Sequence, residues 1–214
     1  LALAAPSFAA PPKGADAGQK AKDAFNEGRY DDALRWLEAV YEQEPSPGVV
    51  YNMGRVREAA GRIRDAYETY LRVLALPGVD ANMRRLAEAQ AEQLKPLKDK
   101  AVLRLKGVPG GAVAQVDASA VAATSADLQL EPGEHQLCVT KADQSVVRCA
   151  RRRLEAGLRT VWEWDEAAGP TGAVVWTPAE RVTGLELAGH PLLVDLAKLK
   201  EVVVAVGQHQ LRVL

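Results

Sequence analysis

Hydrophobic and polar positions alternate with two different periods along this chain, and the period changes near residue 100. From Gln19 to Leu97 the apolar residues recur every three or four positions, which predicts amphipathic helices. After Lys100 they recur every second position, between short clusters of turn-forming residues, which predicts short strands and tight turns. The sequence therefore predicts an α+β chain, with helices first and strands second, divided near Asp99.

The helical half repeats itself with a shift of 33 positions, the separation of Gly28 from Gly61. The same shift pairs Arg29 with Arg62, Asp32 with Asp65, Ala33 with Ala66, Leu37 with Tyr70 and Val40 with Val73. A period of this length is typical of a helix-hairpin repeat. The small residues Gly54, Ala33 and Ala66 are expected to let antiparallel helices approach closely.

These positions resemble the tetratricopeptide repeat from about Gly14 to Leu76. The matching residues are Gly28, Tyr30, Ala33, Leu37 and Pro45 in the first copy, and Tyr51, Gly54, Gly61, Ala66 and Tyr70 in the second. A fifth helix, from Asn82 to about Leu97, is expected to cover the open end of the stack. The resemblance implies a concave surface, made by the first helix of each hairpin, that binds extended or helical peptides.

Three polar residues are expected to face that concave surface: Lys22, Asn52 and Arg55. The resemblance implies that Asn52 hydrogen-bonds a peptide backbone and that the two cations meet a carboxylate. The bound molecule would then be a protein partner in a cell-envelope complex. The alternative is that these are ordinary solvated residues on a short stack of two repeats.

Two stretches of the β half nearly repeat each other, Gly133-Glu134-His135-Gln136-Leu137-Cys138-Val139 and Gly207-Gln208-His209-Gln210-Leu211-Arg212-Val213. Gln115-Val116-Asp117 followed by Pro132-Gly133-Glu134-His135 resembles the PEGA domain, although Ala118 stands where that family usually has glycine. This family of short β-sandwich-like modules is frequent in bacterial envelope proteins and often follows tetratricopeptide repeats. The resemblance implies an architecture and a cellular location rather than an activity.

The patterns divide the chain into four segments. Residues 1–18 are expected to hold the end of a signal peptide and a flexible lead-in. Residues 19–98 form the helical repeat domain with its capping helix, residues 99–168 a complete PEGA-like module, and residues 169–214 a partial second one. The unfinished sheet edge near Leu211 is expected to accept a strand from a partner, which would permit β-edge assembly.

The two cysteines, Cys138 and Cys149, flank the tip of one predicted hairpin at equal distances. Directly opposite residues of a non-hydrogen-bonded pair lie close enough for a disulfide, which would stabilise the fold by about 2 to 3 kcal/mol. A disulfide and the N-terminal segment together favour export to the periplasm or cell envelope. Paired cytosolic thiols are the alternative, and two cysteines without further ligands predict no metal site.

Charge and motifs exclude several classes of function. The chain has 27 Lys plus Arg against 28 Asp plus Glu, so it has no global field that would attract nucleic acid. The sequence has no hydrolase nucleophile elbow, zinc-protease helix or nucleotide-binding loop, which predicts a non-enzymatic protein without a cofactor. His135 and His209 hold the same turn position in the two β repeats, which favours a structural role in which the ring donates to a turn carbonyl.

A basic run, Arg148 and Arg151 to Arg153, has two interpretations. It is either an edge strand kept soluble by charge, or a patch of Arg148, Arg151 and Arg153 that contacts an acidic partner or an anionic envelope polymer. Strand alternation places Arg151 and Arg153 on one face and Arg152 on the other.

Two hypotheses of function follow. The leading one is a non-enzymatic envelope scaffold or adaptor, which binds a protein through its helical groove and uses the β modules as a spacer or assembly surface. The competing one is a peptidoglycan- or carbohydrate-binding module that uses Trp162, Trp164 and the arginine patch.

Overall fold

The structure is a computed structural model, which describes residues 15–121, 126–163, 171–175, 182–205 and 210–214. Within these ranges the chain forms five helices followed by twelve strands. The α+β arrangement predicted from the sequence is therefore confirmed. The described residues up to Lys100, together with residues 157–159, form one compact unit, and the other described residues form a second one.

The five helices of the first unit are α1 (Ala15–Asn26), α2 (Tyr30–Gln43), α3 (Pro47–Ala59), α4 (Ile63–Ala75) and α5 (Ala81–Leu94). Side chains cap two of them. The Ser46 hydroxyl accepts a hydrogen bond from the Val49 N–H at the start of α3, where Pro47 fills the first helical position. Asp80 caps α5 through the Met83 N–H at 2.8 Å. Each cap satisfies a backbone donor that the helix itself leaves unpaired.

Small residues bring the helices of each hairpin close together. Ala33 and Ala66, which occupy matching positions in the two repeats, are both fully buried. Gly54 lies against the ring of Tyr70, and a Cβ at this glycine would stand 2.7 Å from the ring atom Cε1. The Tyr70 hydroxyl donates to the Glu58 carboxylate at 2.9 Å. Burial, reinforced by that carboxylate, raises the pKa of Tyr70, which keeps its hydroxyl protonated as a donor.

Residues 157–159, which we name the strap, belong to the helical unit although they come from the second half of the chain. The Arg64 N–H donates to the Gly157 carbonyl at 3.1 Å, and the Arg159 N–H donates to the Gly61 carbonyl at 2.7 Å. The Arg159 guanidinium also reaches the Glu58 carbonyl at 3.2 Å. The strap is therefore tied to the loop that joins α3 to α4.

Helix α5 has one buried face and one polar face. Ala87, Ala91 and Leu94 are buried, whereas Arg84, Glu88 and Glu92 are exposed. Helix α5 packs on α4 and also touches α3. This division is expected of an amphipathic helix that packs on a core, and the capping role of α5 stays a prediction.

The strands are β1 (Ala101–Lys106), β2 (Val113–Val116), β3 (Ser119–Val121), β4 (Asp127–Leu130), β5 (Gly133–Thr140), β6 (Val146–Leu154), β7 (Arg159–Glu163), β8 (Thr171–Val175), β9 (Leu185–Leu187), β10 (His190–Pro191), β11 (Glu201–Ala205) and β12 (Leu211–Val213). In the described residues they form three sheets, ordered β4-β1-β7, β10-β9-β12 and β3-β2-β5-β6-β11-β8. Strands β5 and β6 pair antiparallel, whereas β11 pairs with β6 in parallel. Strands from both sides of residue 169 thus share the largest sheet.

Both faces of the largest sheet are covered at its central strands, β5 and β6. On one face Leu137 and Val139 pack with Leu103 and other residues of β1 and β2. On the other face the cysteines pack with Leu185, Leu187, Val202 and further residues of β9 to β11. Described strands from both sides of residue 169 contribute to this core. The domain boundary expected near that residue stays a prediction.

Strand β12 lies at the outside of its sheet. It pairs with β9 along one edge, with Leu211 opposite Leu187 and Val213 opposite Leu185. Val213 and Leu214 are exposed. The assembly of partners on this edge stays a prediction. Across the ranges described above, no helix combines the length and the apolar content that a bilayer span requires.

Candidate functional site

Helices α1 and α3 border an open groove of about 420 Å³, which we name the α1–α3 groove. Its lining residues are Gly18, Ala21, Lys22, Phe25 and Asn26 of α1, Asn52, Arg55 and Val56 of α3, and Leu37 of α2. The first helix of each hairpin thus supplies the walls and the second helix of the first hairpin supplies part of the floor. This is the surface on which a ligand was expected from the sequence.

The structure brings the three predicted binding residues together in this groove. Lys22 and Asn26 are one turn apart on α1 and share a helix face, as do Asn52 and Arg55 on α3. All four side chains are exposed. Binding of a partner by Lys22, Asn52 and Arg55 stays a prediction, but their convergence is a property of the fold.

The floor of the groove is apolar and one of its cations is held in place. Ala21, Leu37 and Val56 are each less than a tenth exposed. The guanidinium carbon of Arg55 lies 5.9 Å from the centre of the Phe25 ring, within the range of a cation–π contact. Such a contact restricts the Arg55 side chain before a ligand arrives, which reduces the entropy lost on binding.

The charges around the groove have one sign. Its lining residues, all within the described part of the chain, include the cations Lys22 and Arg55 and no carboxylate. Guanidinium and ammonium groups form strong, charge-assisted hydrogen bonds with anionic groups such as carboxylates. A Cβ placed on Gly18 would meet no atom within 4 Å, so the α1 side of the groove is open at that residue. The groove is suited to an extended chain that carries an acidic group.

The two cysteines form a disulfide, as predicted. Cys138 and Cys149 stand directly opposite each other on β5 and β6, with Cα atoms 4.1 Å apart. Their exposed fractions are 1% and 3%. Residues of β9 and β11 pack around the bond, which shields it from a reductant in solution.

The start of β5 is organised by Asp117, a residue of the Gln115-Val116-Asp117 stretch for which the sequence indicated no role. Asp117 Oδ2 lies 2.8 Å from His135 Nδ1, and Asp117 Oδ1 accepts the Gln136 N–H at 2.9 Å. The other ring nitrogen, His135 Nε2, lies 2.7 Å from the Glu131 carbonyl oxygen. This ring-to-carbonyl contact is the structural role expected for His135.

Asp117 also explains how the turn between β2 and β3 accommodates Ala118. The φ angle of Asp117 is +53°, in the left-handed region, which aspartate tolerates better than most residues. Ala118 is not among the residues with positive φ. Because the left-handed residue is Asp117, the turn between β2 and β3 accepts an alanine at position 118.

The Asp117 and His135 side chains shift each other's titration. Desolvation lowers the pKa of His135, but the hydrogen bonds to the Glu131 carbonyl and to the Asp117 carboxylate outweigh it, so that pKa is raised. Desolvation raises the pKa of Asp117, but the Gln136 N–H and the His135 ring outweigh it, so that pKa is lowered. The pair is therefore favoured in its ionised form.

The three arginines of the predicted anionic-partner patch do not share one face. Arg151 and Arg153 are exposed and lie on the same side of β6 as the disulfide. Arg148 has the opposite strand parity, is only half-exposed and interacts with other groups of the chain. The structure therefore keeps Arg151 and Arg153 together and separates Arg148 from them.

Of the two tryptophans in the competing hypothesis, Trp162 lies within the described residues and Trp164 does not. Trp162 is half-buried and packs against the core between β1 and β5.

Within the described ranges, no group of three or more potential metal-binding side chains occurs. No protein-family model, curated protein or solved structure matches this chain.

Proposed function

We propose that this protein is a non-enzymatic adaptor of the bacterial cell envelope, whose tetratricopeptide-like helical unit binds a peptide segment of a protein partner. The observation that carries the proposal is the α1–α3 groove. Lys22, Asn52 and Arg55, chosen from the sequence, lie together along a groove with a buried apolar floor. Its volume is within the range of pockets that bind small ligands.

The chemistry of the groove indicates how a peptide would lie in it. The Asn52 amide has both donors and an acceptor, so it can pair with a backbone peptide group. Lys22 and Arg55 face it from α1 and α3 and would bind a carboxylate from an acidic side chain or a chain end. Leu37 and Val56 offer an apolar surface to a small aliphatic side chain of the same peptide.

The β unit supports the location and the architecture in this proposal. A buried disulfide is compatible with export, because such bonds persist in oxidising compartments. We infer that the described β strands belong to PEGA-like modules, which act as a spacer or assembly surface. The Asp117 turn and the His135 ring contact are the local features that support this family assignment.

The proposal is tested by affinity capture from the envelope fraction of the native organism, with the purified full-length chain as bait. Arg55→Glu reverses the charge of the groove, and Arg84→Glu makes the same change on the exposed face of α5, outside the groove. We expect Arg55→Glu to lose the captured partner and Arg84→Glu to retain it. Equal capture by both variants would contradict the proposal.

A further inference from the structure

Asp117, His135 and His190 form a cluster of titratable groups at the junction of three elements of the β unit. Asp117 lies in the turn between β2 and β3, His135 at the start of β5, and His190 in β10. His135 Nδ1 is 2.8 Å from Asp117 Oδ2, and His190 Nε2 is 3.9 Å from Asp117 Oδ1. One carboxylate therefore lies between two imidazole rings, which we name the Asp–His cluster.

The contacts of His135 require both of its ring nitrogens to be protonated. One nitrogen faces a carboxylate oxygen and the other faces the Glu131 carbonyl oxygen at 2.7 Å. Both of these partners are acceptors, and a neutral imidazole has a single N–H to donate. Loss of the proton therefore leaves one of the two contacts as a repulsive pair of lone pairs. The His135 side chain is 12% exposed, so water compensates only in part.

The charged groups around His135 come from every neighbouring element. Glu134 is adjacent on β5 and favours the protonated ring, as Asp117 does. Arg152 stands opposite His135 on β6, and its guanidinium donates to the carbonyl of Arg151 at 3.1 Å. Glu131 has a further interaction, and it contacts the ring through its backbone carbonyl. His190 lies on the other side of Asp117, with its Nε2 atom 3.9 Å from Asp117 Oδ1.

A buried glutamine joins the same elements independently of charge. Gln115 of β2 is 4% exposed. Its amide nitrogen donates to the Pro191 carbonyl at 2.5 Å, and its amide oxygen accepts the Leu193 N–H at 2.9 Å. This bridge holds β10 beside the turn that carries Asp117. The Asp–His cluster therefore lies at the contact between the β2–β3 hairpin and the β9–β10 hairpin, and a change in its charge affects that contact.

We propose that the Asp–His cluster is a pH-sensitive latch within the β unit, which holds the β2–β3 turn against β5 and β10 while His135 is protonated and loosens it when that proton is lost. The latch needs no ligand and does not depend on the function proposed for the helical groove. Its physical basis is the pair of acceptor contacts on one imidazole ring.

The pH range of the latch follows from the direction of each shift. The pKa of His135 is raised above its ordinary value of 6.5, so its contribution is complete below about pH 6.5 and is lost as the pH rises through the higher value of the folded state. The pKa of Asp117 is lowered from 3.8, so its contribution is present above that value and is lost as the pH falls through the lower one. The latch is therefore closed in mildly acidic solution.

Proton NMR titration of the imidazole resonances of the full-length chain tests the proposal. We expect His135 to titrate above pH 6.5, and Asp117→Asn to bring its midpoint down. Asp143→Asn is the matched control, since Asp143 lies at the opposite end of the β5–β6 hairpin and is exposed. A second readout is the hydrogen-exchange protection factor of the Gln136 amide, which should fall several-fold as the pH rises through the His135 midpoint.

Three results would overturn the latch. The first is a His135 titration midpoint at or below pH 6.5 in the unmodified chain. The second is an equal change of that midpoint in Asp117→Asn and in Asp143→Asn. The third is a Gln136 protection factor that does not vary with pH. If Asp117→Asn fails to fold, the first and third measurements on the unmodified chain still decide the question. His135→Gln provides a further check, because it should abolish the pH dependence of the Gln136 protection factor.

Discussion

Gly28 and Gly61 offer a matched pair of substitutions that isolates the contribution of the strap. They hold the same position in the two helical repeats, with φ angles of +74° and +77°. A Cβ on Gly28 would meet no atom within 4 Å, whereas a Cβ on Gly61 would stand 2.8 Å from the Arg159 carbonyl oxygen. Alanine therefore introduces the same backbone strain at both positions and a steric clash only at Gly61.

The magnitude of the difference can be worked out from these contacts. An alanine in the left-handed region costs about 1 to 2 kcal/mol, and this is the whole effect expected for Gly28→Ala. At Gly61 the strap must also move, which breaks the Arg159 N–H bond to the Gly61 carbonyl and strains the Arg159 bond to the Glu58 carbonyl. At about 1 kcal/mol for each hydrogen bond, Gly61→Ala should cost about 2 kcal/mol more than Gly28→Ala.

Urea unfolding of the full-length variants, followed by far-UV circular dichroism, measures the free energy of unfolding of the helical unit. Native-state hydrogen exchange adds a local probe, because the Arg159 amide donates to the Gly61 carbonyl. Gly61→Ala should accelerate exchange of this amide and Gly28→Ala should leave it unchanged. Equal losses of stability, or equal Arg159 exchange rates, would show that the strap does not pack on the α3–α4 loop as described.

Three further predictions concern the packing of the helices, the disulfide and the competing function. Gly54→Ala should destabilise the helical unit by about 2 to 3 kcal/mol through overpacking, whereas Gly18→Ala, on open helix surface, should stabilise it by up to about 1 kcal/mol; urea unfolding distinguishes them. The double variant Cys138→Ala/Cys149→Ala should lose about 2 to 3 kcal/mol of stability, and thiol labelling of the unmodified chain should begin only after denaturation and reduction. In a pull-down on insoluble peptidoglycan, the chain should not be retained, and retention that Trp164→Ala abolishes would favour the competing hypothesis.

The sequence predicts those parts of the structure that depend on local pattern. Helical spacing and the glycines at the repeat turns indicated the two hairpins, and helical geometry then placed Lys22, Asn52 and Arg55 on converging faces. The register of the disulfide was also local, because Cys138 and Cys149 are symmetric about a hairpin tip. In each case a short sequence interval fixes the geometry.

Long-range contacts were not predictable in the same way. The parallel pairing of β11 with β6 joins residues 55 positions apart, such as Glu201 and Val146, and alternation of apolar residues does not specify which strand becomes a neighbour. The strap depends on Arg159 meeting the loop at Gly61 and on Gly157 meeting Arg64, and no pattern in either segment predicts these contacts. The sequence showed an alanine at position 118, where the pattern that it resembles usually has glycine. Only the structure shows that Asp117 takes the left-handed conformation.

Site-specific photo-cross-linking from the α1–α3 groove tests the central claim most directly. A photoreactive residue at position 18 would stand in the open part of the groove, and one at position 89 would stand on the exposed surface of α5. In envelope extracts we expect a protein partner to cross-link from position 18 through a segment that contains a carboxylate, and to disappear with Arg55→Glu. Cross-links of equal yield from position 89, or a yield from position 18 that Arg55→Glu leaves unchanged, would contradict a peptide-binding groove.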